Sequence, residues 1–125
     1  MFQSCDPYNQ AYLTNKTGND IYFSLQLDTT ELKHYSAGPI SFLHYVSNDS
    51  TTSAIELDTI KLYGQYKLKP KSSVLMSDGI SISPNIPITY LEIINRTDTI
   101  TYDTRNVINK AFKHISGSKY ELVIE

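Results

Sequence analysis

At 125 residues the chain suffices for one domain with a single two-layer core and not for two. Hydrophobic residues make up 40 % and charged residues 19 %, which excludes a disordered chain. A formal net charge of −2 without a block of Lys or Arg excludes a surface that tracks a nucleic-acid backbone, and no apolar run is long enough for a membrane-spanning helix. Ten tyrosines, abundant Ser and Thr and no Trp favour pleated, partly exposed surfaces.

Residues 1–10 show no periodicity and are read as a tether, so the domain is expected over 11–125. Ala11–Thr14 reads as a short first strand. From Ile21 the pattern alternates: Ile21, Phe23, Leu25 and Leu27 share one face, and Tyr22, Ser24 and Gln26 the other. Thr17-Gly18-Asn19-Asp20 between them is turn chemistry, which predicts a β-hairpin over 11–27 with one apolar face for the rest of the chain to cover.

Residues 28–40 hold two breaks around Leu32–Tyr35, a segment open to either a strand or a helical turn. Ile40–Val46 is a strand candidate of mixed pattern, and Asn48–Ser53 a polar solvent loop. Strand character returns over Ala54–Leu57 and Ile60–Leu68. In the second segment Leu62, Gly64, Tyr66 and Leu68 face one way and Tyr63, Gln65 and Lys67 the other; Gly64 marks a bulge or a close backbone approach. Val74–Met76 is a short strand closed by Asp78-Gly79. Residues 80–88 carry two prolines, so they form an edge strand or an extended crossing loop.

Thr89–Asn95 is a second strong strand, followed by a polar turn and Thr99–Tyr102. The period then changes. Val107, Ile108, Ala111, Phe112 and Ile115 fall on one helical face, with Asp103 or Thr104 to cap the start and Gly117 the end. This is the one clear helix, about 104–115. Tyr120, Leu122 and Ile124 then point inward from a closing strand. Seven to nine short strands with regular turn signals predict an all-β fold: an antiparallel two-sheet sandwich, immunoglobulin-like in connection, with a half-open barrel as the alternative.

No catalytic constellation emerges. His34, His44 and His114 are scattered and have no His or Cys partner at ligand spacing, so no metal is expected. The five glycines form no phosphate loop, and no Ser sits in a G-x-S-x-G elbow. Glu56 and Asp58 read as solvated surface. Asn15-Lys16-Thr17, Asn48-Asp49-Ser50 and Asn95-Arg96-Thr97 match the glycosylation acceptor but read as turn chemistry in a chain so rich in Asn, Ser and Thr. The feature with a binding character is tyrosine. Tyr63, with Gln65, Lys61 and Lys67, and Tyr22, with Gln26, line polar strand faces on which a sugar or a protein can stack; an ordinary outer sheet face is the alternative for each strand taken singly.

Cys5 stands alone, so no internal disulfide can form. It is either a stray thiol or, after Phe2-Gln3-Ser4, the cysteine at which a lipoprotein signal ends. Three pieces bear on this: Cys5-Asp6-Pro7-Tyr8, the Asn15-Lys16-Thr17 to Tyr22-Phe23-Ser24 segment, and the Ile100–Tyr102, helix, Lys119–Leu122 ending. Together with the Pro70-Lys71-Ser72-Ser73 turn they resemble a group of small uncharacterised lipoproteins of Bacteroides-type Gram-negative bacteria. That resemblance covers most of the chain through soft turn-and-strand motifs and supplies no catalytic residue. It implies a domain lipidated at Cys5 and anchored at a membrane surface, facing the periplasm or the outside. The expectation is therefore a non-catalytic binding or interaction module of the cell envelope, without a cofactor. Its partner would be protein or glycan and not nucleic acid. An envelope enzyme inhibitor using the Asn48–Ser53 loop, or a structural subunit contributing strand contacts, is the alternative.

Overall fold

The computed structural model describes residues 8–30, 38–80, 84–96 and 98–125. Among these residues nine strands form two sheets. They are β1 (Tyr8–Asn15), β2 (Ile21–Leu27), β3 (Thr52–Asp58), β4 (Tyr63–Leu68), β5 (Ser72–Ile80), β6 (Ile88–Asn95), β7 (Asp98–Tyr102), β8 (Lys113–Ser116) and β9 (Lys119–Ile124). Two helices, α1 (Pro39–Ser47) and α2 (Arg105–Ala111), join them. The four-stranded sheet has the order β5-β1-β9-β8 and the five-stranded sheet β3-β4-β2-β6-β7. All neighbours are antiparallel except β1 and β9, which run parallel.

The two-sheet sandwich is the expected one, but its connections differ from the immunoglobulin order, in which the second strand lies between the first and the fifth. Here β2 lies between β4 and β6. The difference begins at the first turn. β1 and β2 do not form a hairpin: β1 pairs with β5 and β9, and β2 belongs to the opposite sheet. Residues 16–20 are thus a corner between sheets. Alternation assigns a side chain to a face but does not choose the strand's partner.

Asn15 makes that corner. It is fully buried, and its Nδ2 donates to the carbonyls of Asn19 (2.8 Å), Leu68 (3.2 Å) and Lys69 (3.0 Å). Its Oδ1 accepts from the Thr17 N–H (3.0 Å) and hydroxyl (2.6 Å). One side chain thereby fastens the end of β1 to the end of β4 in the facing sheet. The Asn15-Lys16-Thr17 triplet is turn chemistry, as read from the sequence.

Other elements depart from the sequence reading. β1 begins at Tyr8, so residues 8–10 belong to the sheet and not to a tether. Ile40–Val46 is helical, so the described residues hold two helices and not one. Pro39 occupies the first helical turn, where its missing N–H leaves no bond unmade, and Leu43 and Val46, three apart, are the buried pair. Leu32–Tyr35 lies outside the described residues. β5 continues through Asp78-Gly79, and 84–87 is the crossing loop that the prolines predict, leading from β5 in one sheet to β6 in the other. α2 is shorter than expected. The Thr104 hydroxyl caps it by accepting from the Val107 N–H (3.2 Å), but Phe112 is already extended. Ile115 and Gly117 fall on β8 and on the turn to β9; Val107 and Ile115 are exposed, while Ile108 and Phe112 are buried.

The core is the space between the sheets. Leu13, Val74, Met76 and Leu122 enter it from one side and Phe23, Leu25, Leu91 and Ile93 from the other. At one end Tyr66 doubles back over Gly64, stacks on Phe23 with ring centroids 5.1 Å apart, and donates its hydroxyl to the Leu43 carbonyl of α1 at 3.0 Å. Burial raises the Tyr66 phenol's pKa, so it stays a donor. The Thr52 hydroxyl donates to the Val46 carbonyl, giving α1 a second tie.

Near α2 a polar clasp holds the crossing loop. Arg105 Nη1 donates to Asp28 Oδ2 at 2.8 Å and Nη2 to Asn85 Oδ1 at 2.7 Å. Asn109 takes both backbone groups of Ile86, its Oδ1 accepting from the N–H (2.6 Å) and its Nδ2 donating to the carbonyl (3.2 Å). The hydroxyl and the N–H of Thr30 both donate to Asp28 Oδ1 and, with Arg105, hold its carboxyl below the ordinary value. A carboxyl depressed in the folded state stabilises fully above its unfolded value, about 4, and loses that contribution as pH falls through the folded one. Melting temperature is therefore expected to fall steeply below about pH 4 in the wild type. Asp28→Asn should cost about 1–3 kcal/mol at pH 7 and flatten that acid limb. Thermal melts of both proteins from pH 2.5 to 8 check this.

Candidate functional site

The outer face of the five-stranded sheet collects the sequence-derived candidates. Its registers set three rows across the strands. Asp58, Tyr63, Gln26 and Tyr90 form one row. Glu56, Gln65, Ser24, Glu92 and Thr101 form the next, and Ser53, Lys67, Tyr22, Ile94 and Thr99 the third. Tyr63, Gln65, Lys67, Tyr22 and Gln26, read as two separate strips, are thus one surface. It arises because β2 and β4 pair directly: residues of equal parity on the two strands meet on one side.

Lys61 stands apart from this surface, exposed in the β3–β4 turn. Its backbone matters more than its ammonium. The Asp58 carboxylate accepts from the N–H groups of Lys61 (2.8 Å) and Ile60 (3.0 Å), which hold its carboxyl below the ordinary value. Gln26 Nε2 donates to the carbonyls of Lys61 and Leu62, and Leu62 adopts φ 57°, a left-handed conformation few side chains accept. The Gln26 amide is therefore oriented before any ligand arrives.

Ser24, Tyr90 and Glu92, in the middle of the surface, are among the members not singled out from the sequence. Tyr90 and Glu92 alternate with Leu91 and Ile93, so their outward direction was legible; that β6 lies beside β2 was not. The Tyr90 hydroxyl donates to Glu92 Oε2 at 3.1 Å, and desolvation, followed by that carboxylate, raises its pKa. Ser24, at the centre, is only 2 % exposed although it points away from the core, because Gln65 and Glu92 flank it. The surface is thus a shallow dip floored by a serine, bordered by amide and carboxylate groups and edged by tyrosines. Lys67 supplies a cation 3.9 Å from Asp20. Such a surface can stack, donate and accept.

A groove of about 590 Å³ lies elsewhere, lined by Pro84, Arg105, Lys110, Phe112 and Tyr120 among others. The Arg105 guanidinium is engaged by Asp28 and Asn85 there, so part of its polar lining holds the crossing loop. His44 is exposed on α1, and His114 packs edge-on against Tyr120 at 5.2 Å; His34 and Cys5 lie outside the described residues. Among the described residues no three His, Cys, Asp or Glu side chains gather as a metal ion would require, and no helix is long and apolar enough to cross a membrane. No family model, no curated protein and no solved structure matches this chain.

Proposed function

We propose that the protein is a non-catalytic binding module that holds a glycan chain on the outer face of its five-stranded sheet, carried at the cell envelope by a lipid on Cys5. The observation that supports the first part is the β2–β4–β6 register, which joins Tyr63, Gln26 and Tyr90 in one row and Gln65, Ser24 and Glu92 in the next. Sugars present both apolar faces and dense hydroxyls, and aromatic rings beside fixed amide and carboxylate groups complement both. Two of the rows run across all five strands, which favours an extended chain over a small molecule. The anchor rests on the sequence: a lone cysteine directly after Ser4, and the resemblance to small lipoproteins.

Affinity electrophoresis against a panel of soluble polysaccharides tests the binding. Retardation by at least one member is expected, with Tyr63→Ala and Tyr90→Ala each weakening it about tenfold, or about 1.4 kcal/mol. Retardation by none, or retardation unchanged in both variants with their melting transitions intact, would dismiss the proposal. Mass spectrometry of the protein made in its host from the full precursor decides the anchor: residue 5 should carry acyl chains.

A further inference from the structure

Each of the two sheets ends in two edge strands, and an open edge offers unpaired N–H and C=O groups to any passing strand. Three of the four edges here are broken by a bulge. β5 skips Met76 against β1, β3 skips Ile55 against β4, and β8 skips Ile115 against β9. A bulge twists an edge away from further pairing, and Lys113 adds a charge to the short β8. β7 has no bulge, and its one charge, Asp98, stands at its first position. It pairs with β6 in continuous register from Asp98 to Tyr102, contains no Pro, Lys or Arg, and has no other extensive neighbour among the described elements.

We infer that β7 is a self-pairing edge, through which a second copy of this chain adds antiparallel to form one continuous ten-stranded sheet. The occupant follows from the strand's own sequence. A two-fold centred on Ile100 sets Ile100 against its counterpart, Thr99 against Thr101 and Asp98 against Tyr102. The only charge on the strand, Asp98, then meets a tyrosine and not another carboxylate, and Thr–Thr pairs are among the favourable cross-strand neighbours. The core points the same way. Tyr66, Phe23, Ile93 and Ile100 form an apolar row across the inner face, and the row ends at Ile100, still 39 % exposed. A second Ile100 continues that row. The outer faces of both copies then lie on one side of the joined sheet. If the glycan-binding reading also holds, one extended ligand spans two sites, with the gain in avidity this brings; the pairing itself does not depend on that reading.

Five residues bury little surface, so the association is weak, with a dissociation constant on the order of 10 µM to 1 mM. Sedimentation equilibrium of the full chain, with reductant present to keep Cys5 from cross-linking, tests it. Over about 10 µM to 1 mM the mass should rise from that of one 14.2 kDa chain towards twice that value. Ile100→Lys sets two ammonium groups against each other and should weaken the association at least tenfold. Thr99→Lys with Thr101→Lys does the same from exposed positions, and so serves even if the first variant fails to fold. A one-chain mass throughout the range would overturn the inference, as would undiminished association in the folded double variant.

Discussion

Replacing Asn15 by alanine is expected to lower stability by about 3–5 kcal/mol. The two N–H bonds of its amide serve the carbonyls of Asn19, Leu68 and Lys69, one of them shared, and two Thr17 groups donate to its oxygen. The site is buried, so water does not freely replace the lost partners, and each orphaned group bears its own desolvation cost. Since domains of this size have total stabilities of roughly 5–15 kcal/mol, the variant should unfold near or below physiological temperature. Urea titration followed by far-ultraviolet circular dichroism suits a chain without tryptophan. Asn15→Asp should be about as damaging, because it sets a carboxylate oxygen against three carbonyls. A loss below about 1 kcal/mol in both would show that the corner is held by something other than this amide.

Gly64→Ala should cost about 2–4 kcal/mol. An added Cβ would lie 2.7 Å from two ring carbons of Tyr66, closer than real contacts permit. The ring has nowhere to go: it stacks on Phe23, and its hydroxyl is tied to the Leu43 carbonyl. Relief must therefore come from moving β4 or releasing α1. The cause is separable by a double-mutant cycle with Tyr66→Leu, which removes the colliding atoms. The pair should be less destabilised than the sum of the single changes, by at least 1 kcal/mol. Additive losses would place the cost in the backbone of β4 instead.

These two residues also mark how far the chain could be read in advance. Gly64 was legible as a bulge or a close approach, because a glycine in an alternating strand has few other uses. That Tyr66 is the neighbour it accommodates follows from the same spacing, since positions two apart share a face. Asn15 was legible only as part of a turn. Its real work is done across the sandwich on Leu68 and Lys69, more than fifty positions away, and no local pattern carries that information. The same limit explains the missed corner between β1 and β2. Five polar residues suit a hairpin and a sheet-to-sheet crossing equally, and the choice is made by β4, β6, β5 and β9 competing for partners.

Helix α1 failed for a different reason. In Ile40–Val46 the polar residues Ser41 and His44 interrupt an otherwise apolar run, and seven residues are too few for a two-residue or a helical period to stand out; Pro39 was a further clue. At the outer face of the five-stranded sheet, the direction of each tyrosine was readable strand by strand. Which strands are adjacent was not, and adjacency is what turns two strips into one surface.

The parallel pair β1 and β9 has a mechanical consequence. Because both strands run the same way side by side, Tyr8 and Ile124 mark opposite ends of the sandwich. Tension applied between those two positions draws the neighbours past each other along their length, straining their ladder bonds together and not one after another. Loaded between those two positions, the domain would resist in shear, where peeling would open it rung by rung.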